Sequence, residues 1–409
     1  MREWPAPMVF ACAMRYHKCL LSFLLLLLCP CVRGAGASQG TVRVGLFWGR
    51  KVSECVIAAD RRLAVADAAG NSLAELAKGG ALNARVTEGW VELTSAEPKG
   101  GGRAREYVIS AGSPITVRVP GLGERSYAGR LIVRANGEQL VLVNEIGVEE
   151  YLKGVLPSEV PAAFHPTALQ VQAIVARTYT LASRGKHARD GFDLCDAWHC
   201  QVYRGLAGQD PRLNAAVDAT AGLIITYEGQ PIQAVYHCAC GGRTAASDTA
   251  WPGSRSLPYL RSVSDSDGGT PWCIDAPDAV WSREIEQTRF ASALARYGVQ
   301  APISAIEVVA RDEGGRPREI ALRGPCGEWR LAPALIRDAL NAALGPGTLP
   351  SADFEAGPNG LSIVFAGHGS GHGVGLCQWG ANARAKAGQT AEEILAHYYP
   401  GTVVQRAGG

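Results

Sequence analysis

Glu159 stands in the run Leu156-Pro157-Ser158-Glu159-Val160-Pro161, held between two prolines and flanked by apolar side chains. A pinned backbone gives a pinned carboxyl group. Apolar neighbours that exclude water raise a carboxyl pKa toward the working pH, where the group can donate a proton and later take one back. A second candidate is Gly367-His368-Gly369-Ser370-Gly371-His372-Gly373-Val374-Gly375, with five glycines in nine residues. Its two imidazoles are four residues apart, but so many glycines disfavour the helix that would aim both at one metal ion. Glycines instead let backbone N–H and C=O groups approach a bound molecule closely. Hydrogen bonding to a neutral polar substrate is therefore the expected chemistry here, with a plain structural turn as the alternative. No Gly-Lys-Ser/Thr follows, so the segment is not a phosphate loop. His237, in Tyr236-His237-Cys238-Ala239-Cys240-Gly241-Gly242-Arg243-Thr244, is expected to end a strand at a double-glycine turn, a setting that suits a cleft-lining residue.

Cys195-x3-His199-Cys200 puts two thiols and an imidazole within six residues, and Cys238-x-Cys240 beside His237 adds further sulfur. Thiolate and imidazole are zinc ligands, whereas an even set of cysteines in an exported chain favours disulfides; both readings stay open at this point. Nucleophilic catalysis finds no support. There is no Gly-x-Ser-x-Gly elbow, and no cysteine lies in a papain-like or caspase-like setting.

These residues need a scaffold. From Thr41 to about Leu142 short alternating apolar runs, such as Val42-Val44-Leu46 and Ile115-Val117-Val119, are separated by turns at Pro120-Gly121 and Asn136-Gly137, which predicts a β-rich region over 38–142. Near Gly147 the period changes. Pro166–Arg184 has Pro at its start and no internal glycine, and is expected to be a helix burying Leu169, Ile174, Val175 and Leu181. Strands are expected at Leu223–Ile225 and Ile232–Tyr236, a helix at Ser282–Tyr297 and a hairpin from Ile303–Ala310 to Glu319–Leu322. Two further helices are expected, at Ala332–Ala343 and Ala391–His397. The fold class is α+β: a β-rich N-terminal part packed with a mixed α/β core over 143–402, in which 282–360 is a variable segment. No linker marks a boundary, so the elements on either side of residue 150 are expected to form one compact unit or two closely packed ones.

The chain has 409 residues, enough for two or three domains, and 40 Lys+Arg against 38 Asp+Glu leave a net charge of +2. That balance excludes a highly charged disordered chain and gives no electrostatic case for nucleic acid. An apolar run of fourteen residues, Cys19–Val32, follows Arg15 and Lys18 and precedes Ala35-Gly36-Ala37. It is shorter than the ~20 apolar residues of a membrane span and reads as a signal peptide over 1–37, cleaved near Ala37. The expected location is the periplasm or cell envelope. Of twelve cysteines, the four in that leader would be lost, leaving eight.

Taken in chain order, several stretches together resemble the SpoIID/LytB family of peptidoglycan lytic transglycosylases and amidase enhancers. They are Asn144-Glu145 with Tyr151 through Pro161, Ala168 through Ala173 with Ala176-Arg177-Thr178-Tyr179, and Cys200-Gln201-Val202-Tyr203. Further on come Tyr236-His237 with Cys240 through Thr244, Gly371 through Gly375 with Gln378-Trp379-Gly380-Ala381, and Ile394 through Gly401. The resemblance spans Asn144 to Thr402 and implies a core of the SpoIID type with Glu159 as the catalytic glutamate. The implied reaction cuts the β-1,4 bond between N-acetylmuramic acid and N-acetylglucosamine without water and leaves a 1,6-anhydro end. One carboxyl group suffices, because no water must be activated.

The implied substrate is a glycan strand stripped of its peptides, the implied partner an N-acetylmuramoyl-L-alanine amidase, and no cofactor is required for catalysis. His237, His372 and Gln378 match positions that line the glycan cleft. Arg177 and Tyr179 lie on the helix behind the glutamate as substrate-binding or orienting groups, with a buried structural role for Arg177 as the alternative. Through the same resemblance His187, Cys195, His199 and Cys200 become four ligands for a structural zinc ion, with Cys238 and Cys240 as competing partners. The other implied class is a noncatalytic amidase enhancer that binds the wall. A zinc hydrolase is a third reading, disfavoured because thiolate-rich sites are usually closed.

Overall fold

The computed structural model describes residues 40–96 and 102–407, so the expected signal peptide lies outside the described residues. Among them, no helix is long and apolar enough to cross a membrane. The chain combines strands and helices, an α+β composition, and falls into two compact units. The first runs to Ala234 and takes back residues from Thr402 onward; the second holds Val235–Gln389 and Glu393–Gly401. Elements on both sides of residue 142 thus share one unit.

In the first unit, residues that alternate in exposure build two antiparallel-rich sheets of seven and six strands. The strand Thr41–Leu46 pairs along its length with Gln139–Gly147, and Arg130–Asn136 joins the latter through the Asn136-Gly137 turn. Three helices follow. Helix α1 (Val148–Glu159) buries Val148, Tyr151, Leu152, Val155 and Leu156, an i, i+3, i+4, i+7, i+8 stripe. Helix α2 (Pro166–Ala182) starts on a His165 cap and is buried on almost every side, and α3 (Pro211–Ala219) is capped by Asp210. Leu223–Tyr227 then pairs antiparallel with Val403–Arg406, which closes a three-stranded sheet with residues from the far end of the chain.

The expectation at α1 needs correction. The two prolines are not what pins the carboxyl group: no helix was expected here, yet Pro157 lies inside the last turn of α1 and Glu159 is its final residue. Val160 ends the helix in an extended conformation, which its position before Pro161 favours.

The second unit contains helices α4 (Ser247–Ala250), α5 (Gln287–Ala293), α6 (Pro333–Leu344), α7 (Gln378–Lys386) and most of α8 (Ala391–Tyr398). The predicted helix over Ser282–Tyr297 is instead the strand Val280–Glu286, paired with Ser362–His368, followed by the short α5. The predicted hairpin exists as Ala305–Arg311 against Pro317–Gly324 and gains a third strand at Gly327–Leu331. Trp281, Ile285, Phe290, Ile336, Leu340 and Phe365 form the centre of this unit's core. The run Ile232–Tyr236 is not a strand; a two-residue strand Tyr236–His237 pairs in parallel with Leu376–Cys377.

Candidate functional site

Glu159 is half-buried at the C-terminus of α1, and its Oε1 accepts the backbone N–H of Val202 at 3.2 Å. Helix and loop therefore fix the carboxylate from two directions. Beside it are the phenols of Tyr151 and Tyr179. Burial raises both well above the ordinary tyrosine range, with the Cys200 thiol next in effect and the nearby Glu159 charge adding to it. Both tyrosines are thus neutral hydroxyls at physiological pH. Tyr179 accepts a hydrogen bond from Lys186 Nζ at 3.4 Å.

Behind the glutamate, Gln201 is buried, and its Oε1 accepts hydrogen bonds from Thr180 Oγ1 at 2.9 Å and Tyr151 OH at 3.4 Å. It locks the segment 201–203 against α1 and α2, and so supports the Val202 amide. The motif containing Gln201 was visible in the sequence, but nothing there assigns the side chain this role.

Arg177 is only 1% exposed. Its guanidinium donates to Glu149 at 2.9 and 2.7 Å, to Leu223 O at 3.1 Å and to Val217 O at 3.2 Å. It ties α2 to α1, to the end of α3 and to the following strand. The structure thus gives Arg177 the buried structural role rather than the substrate-binding one. Its partner Glu149 escaped the sequence reading because a surface-like Glu gives no sign of a distant arginine.

The loop after α2 gathers His187, Cys195, His199 and Cys200, whose ligand atoms all lie within 4.8 Å of one another. His187 Nε2 is 3.2 Å from His199 Nδ1, and Cys195 Sγ and Cys200 Sγ are each 3.7 Å from that same nitrogen. Zn–N bonds of about 2.0 Å and Zn–S bonds of about 2.3 Å give tetrahedral edges of about 3.3 Å (N···N) and about 3.5 Å (S···N), so the residues fit a zinc ion. Further out, His187 Nδ1 meets Asp190 Oδ2 at 2.9 Å, the carboxylate–imidazole contact that orients a metal-binding ring. All eight described cysteines are free thiols, and Cys238 and Cys240 belong to the second unit.

The N-terminal strands position the loop. Leu194–Cys195 pairs in parallel with Val44–Gly45, and Asp196 accepts the amides of Phe47 at 2.8 Å and Trp48 at 3.0 Å. The Trp48 ring stacks on His199, with centroids 5.1 Å apart. Two residues beyond Cys200, the same loop supplies the amide that holds Glu159.

His237, His372 and Gln378 lie in the second unit. His237 is 4% exposed, donates from Nδ1 to Val374 O at 3.1 Å, and leaves Nε2 buried without a hydrogen-bond partner among the described residues. The His372 ring sits 5.6 Å from it and 5.1 Å from Trp251. Gln378 is buried as the first residue of α7. The glycines around His372 serve the chain itself: Gly371 and Gly375 have φ of +101° and +70°, and a Cβ there would run into His237 and the Val235 carbonyl. The backbone approach foreseen for a ligand is thus made to residues 235–241.

Packing around His372, then Arg337, holds its pKa down at about 4. Between that value and the ordinary 6.5 the unfolded chain binds a proton that the folded chain refuses. Stability from this group is therefore complete above about pH 6.5 and is lost as pH falls toward 4, by up to about 3 kcal/mol. Thermal unfolding should show a midpoint that drops across this interval, and His372→Gln should flatten the dependence; an equally steep curve in the variant would rule the group out as its source.

The family profile described as stage II sporulation protein matches residues 136–227, which include α1, Glu159, α2 and the cysteine–histidine loop. The chain is 32% identical over 280 residues to stage II sporulation protein D of Bacillus subtilis, covering 65% of this chain and 76% of that protein. It is likewise 32% identical over 282 residues to stage II sporulation protein D of Bacillus amyloliquefaciens, with the same two coverages, 65% and 76%. It is 27% identical over 290 residues to the amidase enhancer of Bacillus subtilis, covering 62% of this chain and 40% of that protein.

Proposed function

The chain belongs to the stage II sporulation protein D family, and from that premise we propose that it is an exported lytic transglycosylase acting on peptide-stripped peptidoglycan strands in the cell envelope. The observation that carries the reading is the seat of Glu159: one carboxyl group at a helix end, half-buried, oriented by the Val202 amide at 3.2 Å and bordered by two neutral phenols.

In the proposed reaction the Glu159 carboxylic acid protonates the glycosidic oxygen as its bond to the muramoyl anomeric carbon breaks. The resulting carboxylate removes the proton of the muramoyl 6-hydroxyl, whose oxygen closes onto that carbon. Glu159 regains its proton, and no water is consumed. Tyr179 is a polar neighbour of the carboxyl group. In the second unit, His237, His372 and Gln378 are proposed as glycan-binding residues, with His237 acting from beneath His372 because its own Nε2 is buried.

We also propose a zinc ion held by His187, Cys195, His199 and Cys200. With four protein ligands the ion would be closed to substrate and would supply loop rigidity alone. Purified protein should contain zinc at this cluster, and His199→Ala should lose one equivalent of metal. The variant should also cut more slowly, since the loop that carries the Val202 amide is loosened. Retention of full metal content by the variant would reject the assignment.

The 27% identity to an amidase enhancer favours a second reading, a wall-binding protein that stimulates an N-acetylmuramoyl-L-alanine amidase. Incubating the protein with stripped glycan strands, alone and with such an amidase, separates the two. Anhydro-ended sugars from the protein alone support the transglycosylase. Stimulated amidase activity with no sugar release supports the enhancer.

A further inference from the structure

We propose that the second unit holds its own structural transition-metal site, formed by Cys240, Asp265, Cys273 and Cys377 and suited to zinc. The ligand atoms of these four residues lie within 4.8 Å of one another, and all four residues are completely buried. They come from three segments far apart in the sequence: the double-glycine turn after His237, the stretch 265–273, and the residue that caps α7. Cys240 Sγ and Cys273 Sγ are 3.8 Å apart, about the S···S edge that two Zn–S bonds of about 2.3 Å subtend in a tetrahedron. Asp265 Oδ2 is 3.1 Å from Cys240 Sγ.

Three features separate this cluster from cysteines that merely fill space in a core. Every sulfur accepts backbone N–H groups: Gly242 to Cys240 at 3.4 Å, Gly241 to Cys273 at 3.3 Å, and both Cys240 and Gly380 to Cys377 at 3.3 Å. Amides aimed at sulfur stabilise thiolate, the form that binds metal. A carboxylate points into the cluster, which apolar packing would not recruit. That carboxylate is also held from outside, because Asp265 Oδ1 accepts Arg384 Nε and Tyr398 OH, each at 2.9 Å. Such outer hydrogen bonds orient a ligating oxygen.

The charges also fit. Binding releases the three thiol protons, so three thiolates and one carboxylate face a divalent ion with a net charge of −2, which the Arg384 guanidinium reduces to −1. A Cys240–Cys273 disulfide would leave Cys377 and Asp265 unexplained. With four protein ligands the site is closed and structural. It would clamp the turn Cys240–Gly242 and the start of α7 onto the paired strands Tyr236–His237 and Leu376–Cys377, which fixes His237 and Gln378. The proposal does not depend on the glycan chemistry, since its readout is metal.

The test uses the full-length protein purified without added reductant. Peptide-resolved alkylation should leave Cys240, Cys273 and Cys377 unlabelled until a chelator is added, and should then label all three together as zinc is released. Cys377→Ala should contain one equivalent less zinc than the wild type and should lose part of the sulfur-to-cobalt charge-transfer absorption after cobalt exchange. His199→Ala should keep the chelator-dependent labelling of these three cysteines. Identical labelling with and without chelator would overturn the proposal. So would a mapped Cys240–Cys273 disulfide, or an undiminished metal content in Cys377→Ala. The labelling arm needs no variant and remains decisive if Cys377→Ala does not fold.

Discussion

On the reaction proposed above, Glu159→Gln should suppress the anhydro-ended products formed from stripped glycan strands, lowering turnover by a factor of about 10² to 10⁴, the range a positioned general acid–base contributes. That range corresponds to about 2.7 to 5.5 kcal/mol of barrier. The amide keeps the size of the carboxyl group, and its oxygen can still accept the Val202 N–H, so α1 and its loop should be undisturbed. It cannot deliver a proton to the leaving oxygen or take one from the 6-hydroxyl. The loss therefore falls on turnover, and binding of the glycan should stay within a few fold of wild type. Product analysis by mass spectrometry, with glycan binding measured in parallel, checks both halves. Half-maximal activity in the variant would remove Glu159 from the reaction, and wild-type products with only reducing ends would identify a hydrolase.

The second large effect concerns stability. Arg177→Met should destabilise the first unit by about 3 kcal/mol, the lower end of what breaking a buried ion pair costs, because Glu149 keeps some access to water. The methionine can fill the stem of the arginine site, but the carbonyls of Leu223 and Val217 lose charged donors, and an unpaired buried acceptor costs about 1 to 3 kcal/mol. Denaturant titration reads this directly. The kinetic signature separates this role from substrate binding: at a temperature where the variant is folded, KM should be near the wild-type value. A raised KM with unchanged stability would restore Arg177 to the glycan site.

The positions of these two residues illustrate what the sequence could and could not convey. Helix α2 was legible, since its apolar residues recur with helical spacing and Pro166 marks its start. Helix α1 carries an equally regular stripe from Val148 to Leu156, but Pro157 near its end is a usual helix breaker, and no helix was expected around Glu159. The proline is accommodated in the last turn. At Trp281 and Ile285 the ambiguity is one of period: a spacing of four suits a helix face and, being even, also one face of a strand. Pairing with Ser362–His368, some eighty residues later, decides the matter, and no local pattern reports it. The cluster at His187, Cys195, His199 and Cys200 was half legible. Its adjacent ligands invited attention, but His187 entered only through family resemblance, and the tryptophan that stacks on His199 comes from the turn after the strand Thr41–Leu46, about 150 residues earlier. Cys240, Asp265, Cys273 and Cys377 are more scattered still, and their convergence is a property of the folded second unit.

The strand Val403–Arg406 completes the sheet begun by Leu223–Tyr227, although about 175 residues intervene between them. During synthesis, residues 223–227 leave the ribosome long before their mate exists. Until then that edge offers unpaired N–H and C=O groups to any extended chain nearby. A polypeptide halted before residue 403 would retain this adhesive border for good, so chain termination just ahead of that strand should cause aggregation.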